Sequence, residues 1–200
     1  MSTPLDQLKS VDLSHLSKEE AKEFTLLLEE LEKREKRESS MASFYDFVKT
    51  IWPEFIAGAH HKKMAEAFDK IASGESKRLI INMPPRHTKS EFASYLFPAY
   101  LLGKRPKLKI IEATHTADLA INFGRRVRDL LESEEYAEIF PATELKADSR
   151  SAGKWNTSQG GQYYAAGIGG ALAGRGADLF IIDDPHSEQD AFSDKALEEA

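Results

Sequence analysis

The spacing of apolar residues changes along the chain, from a helical repeat near its start to short continuous runs after residue 78. The helical stripe follows Ser17 and Glu20, whose spacing is that of a capping box, and it consists of Phe24, Leu27, Leu28 and Leu31. The charged stretch over residues 32–38 continues this helix, and the serines at 39–40 are expected to break it. Further helices are predicted over residues 44–51, 60–71 and 117–131, and from residue 89 onward.

Three short apolar runs, over residues 78–83, 108–113 and 179–182, predict buried strands, and residues 162–165 indicate an additional one. Strands that alternate with helices predict an α/β fold with a mostly parallel sheet covered by helices on both faces. Seven of the 12 glycines fall in residues 160–176, which predicts a loop that turns sharply or approaches another group closely. A last helix is predicted to begin at Ser193 and has no C-terminal signal, so we expect a truncated polypeptide.

Composition narrows the classes of protein that fit. With 41% hydrophobic residues in 200, the chain can bury a core, which excludes global disorder. No apolar run reaches the ~18 residues that a membrane span needs, so no membrane partner is expected. The absence of cysteine excludes a disulfide scaffold, a thiolate metal site and a cysteine nucleophile.

The formal net charge of −6 argues at first against a nucleic-acid partner. It is unevenly distributed, because residues 41–130 carry 15 basic and 9 acidic side chains and residues 131–200 carry 5 basic and 14 acidic ones. This partition suggests that one part binds anions while another holds cations, although solvated faces of an ordinary domain would give the same counts.

The strongest candidate chemistry lies in residues 83–90, MPPRHTKS, between a predicted strand and a predicted helix. Lys89 and Ser90 match the end of the P-loop pattern, whereas Met83 and Thr88 replace its two glycines. Such a site needs helix-start N–H groups, a lysine for phosphate and a hydroxyl for Mg²⁺. Because a β-branched residue disfavours positive φ, Thr88 predicts a somewhat different loop backbone. The alternative is a proline-rich turn with a surface lysine.

Two acids end the third apolar run, roughly 95 residues after the lysine. Asp183 stands where a carboxylate could coordinate Mg²⁺ opposite a P-loop, and Asp184 where one could orient and deprotonate the attacking water. Adjacent acids are also common at ordinary strand ends. The two motifs together, in this order, favour nucleotide hydrolysis.

Three blocks in order resemble the large terminase subunits of tailed bacteriophages, the ATPases that package DNA into preformed heads. The blocks are residues 82–91 (NMPPRHTKSE), 113–120 (ATHTADLA) and 169–185 (GGALAGRGADLFIIDDP), within a resemblance that extends over residues 44–190. The resemblance implies a P-loop NTPase fold of the additional-strand class, preceded by a helical appendage. The expected division is an appendage over residues 1–43 and an ATPase domain over residues 44–200.

The resemblance also implies roles for individual residues. Arg86 and Lys89 would hold the phosphates, and Ser90 and Asp183 would bind Mg²⁺. Asp184 would be the catalytic carboxylate, with Glu188 as the alternative. Arg175 would act on a neighbouring subunit's nucleotide, or would instead pair with Asp178. The expected nucleotide-binding residues are Pro84, Pro85, Arg86, His87, Thr88, Lys89, Ser90 and Glu91.

The implied cofactors are ATP and Mg²⁺, and the implied partners are double-stranded DNA, the capsid portal, the small terminase subunit and further copies of this chain in a ring. The implied location is the host cytoplasm, with transient docking on the viral procapsid. The family's nuclease domain is not expected in this chain, nor is nuclease activity. Two alternatives stay open at this point: a helicase-like P-loop ATPase, and a non-catalytic nucleotide-binding or assembly module.

Two smaller signals have competing explanations. Adjacent side chains do not face one site, so His60 and His61 are not predicted to bind a metal, and a position near the adenine is the alternative. A group of basic residues forms either a surface for DNA or a neighbouring subunit, or a solvated face; its members are Lys104, Arg105, Lys107, Lys109, Arg125, Arg126 and Arg128.

Overall fold

A computed structural model describes residues 4–149, 151–170, 172 and 174–186 as an α/β fold, with a four-stranded sheet flanked by helices. The helices are α1 (Pro4–Lys9), α2 (Lys18–Ala42), α3 (Phe44–Ile51), α4 (Ala59–Ser73), α5 (Phe97–Lys104), α6 (Ala117–Leu131) and α7 (Glu134–Ile139). A π-helical segment, Glu91–Leu96, leads directly into α5. The strands are β1 (Lys109–Thr114), β2 (Lys154–Asn156), β3 (Gln162–Gly167) and β4 (Leu179–Asp183).

The long helix α2 confirms the predicted capping box but not the predicted break. Ser17 accepts a hydrogen bond from the Glu20 N–H, and the Glu20 carboxylate accepts one from the Ser17 N–H. At the other end, the hydroxyls of Ser39 and Ser40 both donate to the carbonyl of Lys36. Both hydroxyls thus have acceptors within the preceding helical turn, and the helix continues through the two serines to Ala42.

Helices α3, α4 and α6 confirm the sequence prediction. Helix α3 ends at Ile51, before Trp52 and Pro53, as expected from the restriction that proline places on the preceding residue. Helix α4 ends at Ser73, and Gly74 caps it with a φ of 83°, the left-handed geometry of a helix C-cap. Helix α6 begins after Thr116, whose hydroxyl accepts a hydrogen bond from the Leu119 N–H.

An aromatic core lies between α3, α4, α5 and the π-helical segment. Phe44 is its centre, with ring centroids 5.1–5.5 Å from the four rings of Phe68, Phe92, Phe97 and Tyr100. Edge-to-face contacts of this kind add to the gain from burying the rings. This core therefore anchors the residues that follow Ser90, because Phe92 belongs to both.

The sheet is mixed, whereas the sequence predicted a mostly parallel one. Its strand order is β2-β3-β1-β4, with β1 parallel to β3 and β4, and β2 antiparallel to β3. The antiparallel pair arises because only a short turn connects β2 to β3, so the chain reverses direction. Trp155 and Tyr163 pair across these strands with rings 4.8 Å apart, and the Trp155 indole donates to the Gly124 carbonyl of α6.

The strand predicted over residues 78–83 is wrong, since none of these described residues joins a ladder. Ile80 is 85% exposed, and the segment is separated from edge strand β4 by a groove of about 370 Å³. On β4, Phe180 and Ile182 are 52% and 55% exposed. An apolar run gives the right composition for a strand, but pairing also requires a neighbour within hydrogen-bonding distance.

Among the described helices, none combines the length and the apolar character needed to cross a bilayer.

Candidate functional site

Residues 83–90, the predicted phosphate loop, lie at the start of the helix formed by the π-helical segment and α5. The Phe92 N–H, in the first turn of this helix, donates a hydrogen bond of 3.0 Å to the Thr88 carbonyl. Helix geometry leaves the preceding N–H groups without partners in the helix, and these groups attract anions. Lys89 and Ser90 therefore stand at the positions where a phosphate would be bound.

The loop takes up left-handed backbone geometry without using glycine. Arg86 has φ 63° and Thr88 has φ 61°, although Thr88 was expected to avoid positive φ. Two hydrogen bonds hold Thr88 there: its hydroxyl donates to the His87 carbonyl and accepts from the His61 ring. Tertiary contacts thus impose on this threonine a conformation that its own preference opposes.

A cavity of about 430 Å³ brings most of the predicted site residues together. Its walls are the loop itself and one acid from the end of the sheet. The lining residues are Met83, Pro84, Pro85, Arg86, His87, Thr88, Lys89, Ser90, Glu91 and Asp184.

The carboxyl end of β4 brings two acids to the loop lysine. The Lys89 ammonium contacts a carboxylate oxygen of Asp184 and lies 3.3 Å from one of Asp183. The Lys89 side chain is 23% exposed. Burial lowers the pKa of Lys89, but the two carboxylates outweigh this effect and the pKa is raised overall.

Asp183 and Asp184 have different surroundings. The Asp183 side chain is 6% exposed, pairs with Lys89 and accepts a hydrogen bond of 3.1 Å from the Ser94 hydroxyl. The Asp184 side chain is 61% exposed and has a backbone φ of 43°. A buried, oriented carboxylate is suited to fixed coordination, and an accessible one to contact with a bound water.

The oxygen atoms of Asp183 and Ser90 are ligands of the kind that a magnesium–nucleotide complex takes from a protein. Mg²⁺ prefers hard oxygen ligands and commonly takes only one or two from the protein, with water and phosphate oxygens completing the octahedron. Asp183 offers a carboxylate and Ser90 a hydroxyl. Across the described ranges, no group of three or more acidic or histidine side chains forms a metal cage of its own.

Several predicted residues lie elsewhere or have other partners. Arg175 sits 3.8 Å over the Tyr164 ring, beside Gln162 and Lys109, and does not line the cavity. Asp178, its proposed partner, accepts a hydrogen bond from the Lys109 N–H. Glu188 and the helix predicted from Ser193 lie outside the described residues.

Glu91 lines the cavity, but its carboxylate is paired with Arg126 of α6. Arg126 of α6 donates two hydrogen bonds to it, at 2.9 and 2.5 Å, and stacks 4.2 Å over the Tyr95 ring. This fork ties the helix after the loop to α6. The sequence placed Arg126 in a basic surface and contained no signal for this pairing.

A fully buried acid, which the sequence analysis did not single out, lies in the central strand near the site. Glu112 of β1 is 0% exposed, and neither carboxyl oxygen has a hydrogen-bond partner among the described residues. Burial raises the pKa of Glu112 well above its ordinary value; the nearby Ser94 hydroxyl partly offsets this effect, and the charge of Asp183 adds to it. Burial thus shifts this carboxyl group toward its protonated form. An acid within an otherwise apolar strand was the only signal in the sequence.

Comparisons of this chain with protein-family models, with curated proteins and with solved structures found no match.

Proposed function

We propose that this chain is the ATP-hydrolysing domain of a viral DNA-packaging motor, a large terminase subunit with a P-loop fold of the additional-strand class. The observation that supports nucleotide binding most directly is the Lys89 ammonium at a helix start, in contact with Asp183 and Asp184 from the end of a parallel strand. The motor assignment rests on the three sequence blocks that resemble terminases.

In the proposed mechanism, the loop N–H groups, Lys89 and Arg86 bind the β- and γ-phosphates. Ser90 and Asp183 would hold magnesium, which would neutralise charge on the phosphates. On this account Lys89 turns from the carboxylates toward a phosphate oxygen when the nucleotide binds. The carboxylates raise the pKa of Lys89 in the structure, and the negative phosphates would replace them as the charges that keep it protonated.

Asp184 is proposed to orient the attacking water. The water oxygen attacks the γ-phosphorus, the bond from phosphorus to the β–γ bridging oxygen breaks, and the water proton passes to the Asp184 carboxylate. ADP and inorganic phosphate are the products. Arg175 is an exposed residue of the loop before β4. We propose that it serves the nucleotide of a neighbouring subunit in a ring that encloses double-stranded DNA and docks on the capsid portal with the small subunit.

The test is ATP turnover by this chain and by Lys89→Ala, alone and with the portal, the small subunit and DNA. The matched control is Lys63→Ala, an exposed lysine of α4. We expect turnover that is abolished only by Lys89→Ala. Turnover that is stimulated by single-stranded nucleic acid and not by the packaging components would favour a helicase-like ATPase. Lys89-dependent binding with no turnover under any condition would favour a non-catalytic module.

A further inference from the structure

His61 of helix α4 reaches the phosphate loop from inside the molecule. Its ring packs between Phe55 and Phe92, at centroid distances of 4.7 and 5.3 Å, and the residue is 6% exposed. A buried imidazole needs hydrogen-bond partners for both nitrogens. The Nδ1 of His61 is bonded to the Gly58 backbone N–H, and its Nε2 is bonded to the Thr88 hydroxyl.

The backbone fixes the role of every atom in this chain of hydrogen bonds. The Gly58 N–H can only donate, so the Nδ1 of His61, at 2.8 Å, accepts. The His87 carbonyl can only accept, so the Thr88 hydroxyl, at 2.6 Å, donates to it. The Thr88 oxygen therefore accepts from His61, which places the ring proton on Nε2, at 2.7 Å. One neutral tautomer satisfies all three bonds.

Two effects keep the imidazole neutral, as this chain requires. Burial lowers the pKa of His61, and the neighbouring His60 and His87 lower it further. The His60 ring lies 3.8 Å from that of His61, and His87 lies 5.7 Å from His60. A protonated His61 would present an N–H to the Gly58 N–H and lose that bond.

The hydrogen bond from His61 affects the backbone conformation at the start of the helix. Thr88 precedes Lys89, and its φ of 61° sets the direction in which the Lys89 and Ser90 N–H groups leave the loop. A threonine disfavours this conformation, so it needs an external constraint. The hydrogen bond from His61 is such a constraint, and the aromatic packing of the ring anchors it to the core.

We propose that His61 is a positioning residue of the phosphate loop, which holds Thr88 in left-handed geometry through its Nε2–H and so orients the phosphate-binding N–H groups. This inference rests on the proposed nucleotide binding by the loop. A residue that only filled space in the core would stabilise the fold without influencing the affinity for nucleotide.

The test compares Thr88→Val with Thr88→Ser, both at a half-buried loop position where the fold is not at risk. The measurement is the affinity for magnesium–ATP by titration calorimetry, with the unfolding temperature as a check of folding. Valine keeps the branched shape and loses the hydroxyl. We expect it to bind magnesium–ATP about tenfold more weakly, because one buried hydrogen bond is lost. Serine keeps the hydroxyl and should bind within about twofold of the wild type.

His61→Phe keeps the ring in its aromatic site and removes the donor, and it should also weaken binding about tenfold. Because both variants break the same bond, the double variant should lose about tenfold and not about a hundredfold. Independently of nucleotide, the ¹⁵N shifts of the His61 imidazole should show the proton on Nε2.

Wild-type affinity in both Thr88→Val and His61→Phe, or a ring proton on Nδ1, would overturn the positioning role while leaving the proposed function intact. Equal affinity of the wild type and Lys89→Ala would instead overturn the proposed function, and the inference would fall with it.

Discussion

The aromatic core and the phosphate loop lie next to each other and are held by different forces. Phe44 and its neighbours are fully buried and interact with one another through apolar surface. The loop is mostly exposed, contains two non-glycine residues with positive φ, and is held by a few directional contacts, chiefly to His61 and Asp184. Burial therefore sets the stability of this molecule, and hydrogen bonds and ion pairs set the geometry of its candidate site.

The most severe test of this comparison is Phe44→Ala. Removing a fully buried ring at the centre of the core is expected to lower the free energy of unfolding by about 3–5 kcal/mol, measured by urea denaturation. The matched control is Phe180→Ala on the half-exposed face of β4, with a loss of less than about 1 kcal/mol. Equal losses at the two positions would show that the aromatic cluster is not the main source of stability.

Asp184→Asn tests the second of the two regions, the candidate site at the phosphate loop. The amide keeps the size of the exposed side chain but cannot take a proton from water, so we expect ATP turnover to fall about 100-fold or more. The amide oxygen can still accept a hydrogen bond from Lys89, so affinity for nucleotide and unfolding free energy should change less than turnover does. Asp148→Asn, at another exposed acid paired with a lysine, is the control. Unchanged turnover in Asp184→Asn would remove Asp184 from the catalytic role and leave Glu188 as the alternative.

Arg126→Ala acts on the connection between the two regions. It removes a two-pronged contact to Glu91 from a partly exposed site, and we expect a loss of about 1–2 kcal/mol in unfolding free energy together with weaker nucleotide binding. Arg125→Ala, at an exposed neighbouring position, should change neither. A loss of stability with unaltered affinity would mean that α6 does not influence the loop.

Glu112→Gln is expected to have the smallest effect, and a stabilising one. The raised pKa of Glu112 means that the folded state keeps a proton that the unfolded chain has released above its ordinary pKa of 4.5, so this residue costs stability as the pH rises above that value. The neutral amide removes this cost, and we expect a gain on the order of 1 kcal/mol at pH 7 and none at pH 4. Urea denaturation at the two pH values measures it, and a loss at pH 7 would show that the carboxylate is used in the folded state.

The sequence predicted elements wherever the determining signal was local. Helix α6 has a capping threonine and a helical repeat, and β1 and β4 are continuous apolar runs, so all three were predicted within one residue or a few. Residues 78–83 are similarly apolar but join no ladder among the described residues, and a groove separates them from edge strand β4. The composition of a segment does not show whether another strand lies close enough to pair with it.

The same distinction applies to the site. The order of the motifs predicted that Asp183 and Asp184 lie opposite the loop of Lys89, and the structure brings the three side chains together. Their direct ion pairs were not predicted. The pairs His61–Thr88 and Ser94–Asp183 were not predicted either, because each joins single polar residues far apart in the chain with no periodic pattern. Their existence depends on how the helices pack.

The central claim is that the loop around Lys89 binds the phosphates of a nucleotide. Titration calorimetry of magnesium–ATP against the wild type, Lys89→Ala and the Lys63→Ala control tests it most directly. We predict saturable binding by the wild type and the control, and at least about 100-fold weaker binding by Lys89→Ala, equivalent to about 2.7 kcal/mol. Equal affinities in all three proteins, or no binding by the wild type, would contradict the account.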